Sequence, residues 1–210
     1  MTNNEWGGGK KESTYFFRNS FRGKRTKIRG KRVTGFHNRR KPVKSFSNFS
    51  LILLNAQGMN NKIEEISNLL QESKPDVFCI TEHHLNKEQA KLIKLPGFVF
   101  ADKFCREEKT KGGTGIFIRD DLDFKLINLA KYSKEGEFEL AGIDIENGDV
   151  RVLTVYRPPK GNFDAFISTF NLVLEKICSD NSKLNLICGD FNVNLSESVP
   201  TFKKNKNLSF

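Results

Sequence analysis

Two incompatible strand-pairing signals in one chain constrain its fold more than any other feature. Ser50–Gln57 is an apolar run centred on Leu51-Ile52-Leu53-Leu54. Lys62–Glu72 carries Ile63, Ile66, Leu69 and Leu70 at helical spacing, Pro75-Asp76 breaks that helix, and Val77–Thr81 is apolar again. A strand, helix and strand in so short a stretch form a βαβ unit, which makes its strands parallel. Further along, Asn147-Gly148 separates Phe138–Ile145 from Val150–Tyr156, and that dipeptide signals a hairpin of antiparallel strands. The two together predict a mixed sheet, or two packed sheets covered by helices, and exclude a doubly wound parallel fold.

The rest of the pattern fits this α/β (α+β) class. A short helix is expected at Lys87–Ile93, a strand at Phe98–Ala101, and a turn at Gly112-Gly113 leading into a strand at Thr114–Arg119. Phe124–Leu129 is read as a partner of that strand. Phe163–Cys178 is amphipathic, with Phe166, Ile167, Phe170, Leu174 and Ile177 on its buried stripe. A strand over Leu184–Cys188 follows. No internal repeat is visible.

The formal net charge of +10 is unevenly spread: residues 1–45 hold 14 of the 35 Lys/Arg and 2 of the 25 Asp/Glu. The expected organisation is a basic disordered tail at 1–45, a folded domain at 46–194 and a polar tail at 195–210. In the basic segment Tyr15, Phe16, Phe17, Phe21 and Phe36 interleave with Arg18, Arg22, Lys24, Arg25, Lys27, Arg29, Lys31 and Arg32, and Arg39, Arg40 and Lys41 follow. Cations neutralise phosphates and aromatics stack on unpaired bases, so these residues are candidate nucleic-acid contacts. A nuclear-import patch is the other reading of the same composition. Cys79, Cys105, Cys178 and Cys188 lack metal-ligand spacing and read as free thiols in a reducing compartment. With no secretory leader and no bilayer-length apolar run, the expectation is a soluble intracellular protein, in the nucleus rather than the cytoplasm.

Four apolar strands end in polar groups: Asn55, Glu82, Tyr156, and Asp190 with Asn192 inside Gly189-Asp190-Phe191-Asn192. Ends of neighbouring strands converge, so these residues can share one site. Asp190 and Asn192 face the same way if extension continues through them. Glu and Asp oxygens suit a hard cation such as Mg²⁺, with Mn²⁺ as an alternative. Asn and Tyr can hold phosphate oxygens or orient carboxylates. This is a kit for metal-assisted phosphodiester hydrolysis.

The segments Leu54-Asn55-Ala56-Gln57-Gly58, Ile80-Thr81-Glu82-His83-His84-Leu85, Val155-Tyr156-Arg157-Pro158-Pro159 and Gly189-Asp190-Phe191-Asn192 occur in the order and approximate spacing of the endonuclease/exonuclease/phosphatase family. The chain most resembles the apurinic-type, DNase I-like endonuclease domain of non-long-terminal-repeat retrotransposons, over roughly Phe49 to Asn194. The resemblance implies a four-layered α/β sandwich and Mg²⁺-dependent nicking of DNA, with a reverse transcriptase as partner. On matching positions it makes Glu82 the metal ligand, with Asn55 beside it helping to hold metal and phosphate. Tyr156 contacts phosphate or orients the site, Asp190 positions or activates water, and Asn192 binds the scissile phosphate.

The family pattern closes with a late aspartate and a Ser-Asp-His that this sequence lacks after Asp190; His37, His83 and His84 all lie upstream. That departure implies a sandwich incomplete at the C-terminus, open edges and impaired turnover, or a missing half supplied by a partner. Alternatives therefore stay open: a non-catalytic nucleic-acid-binding remnant that uses the basic tail, or a non-functional fragment. A phosphatase of inositol lipids or sphingolipids is opposed by the absence of further lipid-phosphatase motifs. His83 and His84 are weighed as catalytic, but a loop position after Glu82 favours DNA contact or plain surface. Lys111-Gly112-Gly113-Thr114-Gly115 is not a P-loop, because a strand follows where a helix is needed. Arg119, Arg157 and Lys160 are read as either a DNA-facing rim or solvated loop charges.

Overall fold

In the computed structural model the described residues are the backbone of 14–18, then 49–146, 150–179 and 182–193. The βαβ unit forms as expected. β2 (Ser50–Asn55) and β3 (Val77–Thr81) pair in parallel, Leu51 opposite Val77 and Asn55 opposite Thr81, with α1 (Ile63–Ser73) between them. Lys74, in the left-handed region at φ +46°, caps α1 by donating its N–H to the Leu70 carbonyl, and Pro75 prevents continuation.

α2 (Lys87–Leu92) starts on a capping box of Asn86 and Gln89. β4 (Phe98–Phe104) runs longer than the sequence suggested, across a register shift between Phe100 and Asp102. It pairs antiparallel with β5 (Thr114–Arg119), which pairs antiparallel with β3. β1 (Thr14–Arg18), a strand unseen in the sequence, lies antiparallel on the free edge of β2, giving the order β1-β2-β3-β5-β4.

The second sheet has the order β6-β7-β8-β9. β6 (Phe124–Leu126) pairs with β7 (Glu139–Ile145), not with β5. This corrects the expected partner of Phe124–Leu129, and the reason is that β3 and β4 already occupy both edges of β5. β7 and β8 (Val150–Tyr156) form the expected hairpin, Ile145 opposite Val150; its tip, Asn147 and Gly148 included, lies outside the described residues. α3 (Phe163–Lys176) connects β8 to β9 (Leu184–Asp190), and these strands are parallel. Each sheet therefore contains one βαβ unit and one antiparallel part.

Period-two alternation assigns side chains to layers. Leu51, Leu53, Val77, Cys79, Ile116 and Ile118 face the other sheet, where they meet Ala141, Ile143, Val150, Val152 and Cys188. The alternate residues Ile52, Leu54, Phe78, Ile80 and Phe117 pack under α1 and α2 with Ile66, Leu70 and Ala90. Leu140, Leu153 and Val155 pack under α3 with Phe166 and Val173. The result is the four-layered sandwich. Strands covered on both faces lose polar alternation, which is why they read as continuous apolar runs. On α3 the buried stripe runs through Phe166, Phe170, Val173 and Ile177, while Ile167 and Leu174 are each 37% exposed. The stripe predicted with Ile167 and Leu174 is thus rotated toward Val173.

All four cysteines are free, and Cys79, Cys105 and Cys188 are buried. Among the described residues no helix is long and apolar enough to cross a membrane.

Candidate active site

Both parallel pairs end at the same edge of the sandwich. β2 and β3 deliver Asn55 and, one residue past β3, Glu82; β8 and β9 deliver Tyr156 opposite Asp190. One amide joins the two sheets there. Asn55 Nδ2 donates to Glu82 Oε1 at 2.9 Å and to Asp190 Oδ2 at 2.8 Å, across 135 residues of sequence. Asn55 Oδ1 accepts from the Gln57 N–H at 3.2 Å, so the nitrogen faces both carboxylates. Burial first, then the charge and hydrogen bond of Glu82, push the Tyr156 phenol well above its ordinary value. It therefore stays protonated and acts as a donor.

The backbone at this edge is unusual. Gln57, Glu82, His84 and Asn192 all have φ between +45° and +57°, a region that costs a non-glycine residue on the order of 1 kcal/mol. A ladder of backbone bonds holds the Glu82 segment there. Gly58 N donates to Glu82 O at 2.8 Å, Glu82 N to Gly113 O at 2.8 Å, and His84 N to Gly112 O at 2.9 Å. Gly189 is needed for close approach: a Cβ there would lie 1.9 Å from the Val155 carbonyl oxygen.

Asn192 departs from the extended path on which its alignment with Asp190 depended. The strand stops at Asp190 and Asn192 turns left-handed at φ +46°. Its N–H donates to Asp190 Oδ1 at 3.2 Å, and its Nδ2 donates to the Arg157 carbonyl at 2.8 Å. It remains beside Asp190 through these bonds rather than through strand alternation.

Other candidates are redistributed. Arg157 does not line an open rim: it is 7% exposed, and its Nη atoms donate to Asn192 O at 2.9 Å and Gly161 O at 2.8 Å. It clamps the Asp190–Asn192 turn. Arg119 lies at the opposite end of the sheet, paired with Asp76 at 2.8 Å and with Asp121. Lys160 is exposed. His83 is fully buried: it accepts from the Leu85 N–H at Nδ1 (2.9 Å) and donates from Nε2 to Phe104 O (3.0 Å). Burial pulls its pKa down to about 4. It is a neutral structural residue, with its ring against Gly113, where a Cβ would come within 2.4 Å. His84 lies nearer the site, Nε2 3.5 Å from Glu82 Oε2, and burial outweighs Glu82 in lowering its pKa. A cavity of about 320 Å³ opens beside it, lined by Asn86, Arg106, Lys109 and Lys111 among others. In the basic segment, Arg18 falls in β1; Arg22, Lys24, Arg25, Lys27, Arg29, Lys31, Arg32, Arg39, Arg40 and Lys41 lie outside the described residues.

Sequence reasoning missed a buried pair. Glu139, fully buried, accepts from Arg106 Nε at 2.6 Å, and the Arg106 guanidinium lies over the Tyr156 ring, 5.9 Å from its centre. The available signal was an acid, Glu139, at the head of a mostly apolar strand in the hairpin that ends in Tyr156.

The donor set suits a hard divalent cation. Two carboxylates from different sheets converge on one amide, and Mg²⁺ binds through one or two carboxylates while keeping waters and substrate phosphates in its shell. Among the described residues no group of three or more His, Cys, Asp or Glu side chains forms an all-protein cage.

A model of the endonuclease/exonuclease/phosphatase family matches residues 47–209. Among solved structures, D. rerio TDP2 complexed with a single-strand DNA product is 17% identical with a TM-score of 0.52, the match covering 70% of this chain and 61% of that one. D. rerio TDP2 humanized by 14 mutations is 17% identical with a TM-score of 0.51, covering 70% and 67%. The endonuclease domain of TRAS1, a telomere-specific non-LTR retrotransposon, is 16% identical with a TM-score of 0.52, covering 70% and 62%. At these identities the likeness is one of fold, the DNase I-like sandwich. The chain spans about two thirds of those structures or less.

Proposed function

Because this chain belongs to the endonuclease/exonuclease/phosphatase family, we propose that it is a divalent-metal-dependent phosphodiesterase that nicks DNA, with Mg²⁺ as cofactor and Mn²⁺ as substitute. The observation that carries this reading is the Asn55 amide held between Glu82 and Asp190, which assembles an acidic centre from both sheets. Glu82 would ligate the ion, with Asn55 beside it keeping the carboxylate oriented. When bound, the ion supplies positive charge against the charge developing on the phosphate.

The chain's own groups account for the remaining steps. Asp190, fixed by Asn55 and by the Asn192 N–H, holds a water and accepts its proton as the water oxygen bonds to phosphorus. The phosphorus–oxygen bond to the leaving sugar breaks opposite, its electron pair staying on the sugar oxygen, which takes a proton from solvent. The second N–H of the Asn192 amide donates to a phosphate oxygen, where a preformed donor acts without reorganisation, while the protonated Tyr156 phenol keeps its hydrogen bond to Glu82 and orients that carboxylate.

The basic, aromatic-rich segment at 1–45 supports nucleic acid as the substrate class. The Tyr156-Arg157-Pro158-Pro159 motif supports a retrotransposon-type endonuclease, for which a reverse transcriptase is the implied partner. A supercoiled-plasmid nicking assay with Mg²⁺ tests the reading. Nicking abolished by EDTA and by Glu82→Gln is the expected result. Folded protein that binds plasmid but leaves it supercoiled would overturn turnover and leave nucleic-acid binding.

A further inference from the structure

We propose that Glu139, together with Arg106, is a positioning residue that sets Glu82 of one sheet against Tyr156 of the other. The inference rests on the phosphodiesterase reading above and assigns a role to residues outside its chemistry.

Glu139 heads β7 and stands opposite Tyr156 in the β7–β8 register. Its side chain reaches across the sandwich to the loop that precedes β5. Oε2 accepts from the Gly113 N–H at 2.7 Å; Oε1 accepts from the Gly136 N–H at 3.1 Å and from Arg106 through Nε at 2.6 Å and Nη2 at 2.5 Å. The same Gly113 accepts the Glu82 N–H through its carbonyl. A single residue, Gly113, therefore separates the Glu139 carboxylate from the backbone of Glu82. On its other side Arg106 lies over the Tyr156 ring and fills the space where a Gly112 side chain would stand. Glu82 needs such support, because its left-handed backbone is not its relaxed state.

Glu135 provides the contrast. Its carboxylate accepts from the N–H groups of Glu107, Glu108 and Lys109 in the same loop, at 2.8–3.2 Å. It thus holds the loop through bonds to these N–H groups and feels Arg106 only through its charge. A general need for loop order predicts equal effects at 135 and 139; a positioning role predicts effects at 139 alone.

The test compares Glu139→Gln, Arg106→Lys and Glu135→Gln with wild type in the full chain, by two readouts: steady-state nicking and amide hydrogen exchange of the segment 81–84. The expected result for Glu139→Gln is exchange at Glu82 and His84 at least tenfold faster and kcat at least tenfold lower, with KM within twofold. Arg106→Lys should fall between, and Glu135→Gln should stay within twofold throughout. Unchanged exchange in Glu139→Gln, equal changes in Glu135→Gln, or faster exchange with unaltered kcat would each overturn the proposal. If wild type does not nick, exchange decides it alone, and selective loosening by Glu139→Gln upholds the positioning while the phosphodiesterase reading falls. If Glu139→Gln does not fold, Arg106→Lys carries the same comparison.

Discussion

Replacing Asn55 by leucine should separate the two sheets energetically at the site edge. The substitution keeps side-chain volume and removes every polar atom. It deletes two hydrogen bonds to carboxylates, at 2.9 Å to Glu82 and 2.8 Å to Asp190, and the one that supports the left-handed turn at Gln57. A bond to a charged group contributes about 1.5–3 kcal/mol. The Glu82 side chain is 21% exposed, which favours the lower end, so the two bonds together give about 3 kcal/mol. The two carboxylates would then face each other with nothing between them, which adds repulsion. Urea denaturation in EDTA at neutral pH measures the loss. A double-mutant cycle with Asp190→Asn isolates the inter-sheet bond, which should show coupling of about 1 kcal/mol or more. A loss below about 1 kcal/mol in Asn55→Leu, or a cycle with no coupling, would mean that the amide does not bridge the sheets, and the convergence argument would fail with it.

Other outcomes follow from the same geometry. His83 has a folded pKa of about 4 against an ordinary 6.5, so its stabilising contribution is complete above pH 6.5 and is lost as pH falls toward 4. That amounts to about 1.4 kcal/mol per unit, and in EDTA the slope of wild-type stability between pH 6 and 5 should exceed that of His83→Gln by about this much. His84 adds in the same direction in both proteins, so equal slopes would refute the assignment. Gly189→Ala, with its Cβ 1.9 Å from a backbone oxygen, should cost more than about 4 kcal/mol or prevent folding. Gly97→Ala, with open space around it at φ +79°, should cost about 1 kcal/mol, and thermal melts compare the two. Arg157→Met should lose about 3 kcal/mol by denaturant titration through its two charged bonds to carbonyls, and lower kcat more than it raises KM by loosening the Asp190–Asn192 turn.

Much of the site was legible because it lies at strand ends. Local pattern shows where an apolar run stops, and the residue at the stop is read directly: Asn55, Glu82, Tyr156 and Asp190 each follow such a run. The same local logic failed one step further on, at Asn192, where the backbone turns left-handed and hydrogen bonds replace alternation. It also left Arg157, which reads as a surface cation and is buried as a clamp. Nothing adjacent in sequence marks Arg106 and Glu139 as partners, since 33 residues separate them.

The sequence by itself determined the strands and helices from β2 to β9, though not β1, together with the parallel first unit, the hairpin and the mixed α/β class. Each of these depends on periodicity, helix breakers and turn dipeptides acting within a few residues. Tertiary structure alone decided that β6 joins β7, that Val173 rather than Leu174 faces the core, and that one amide spans two carboxylates, the farther of them 135 residues along the chain from it. Those outcomes depend on which edges and faces remain free once other elements have packed. That competition is settled across the whole chain, so no short stretch of it carries the answer.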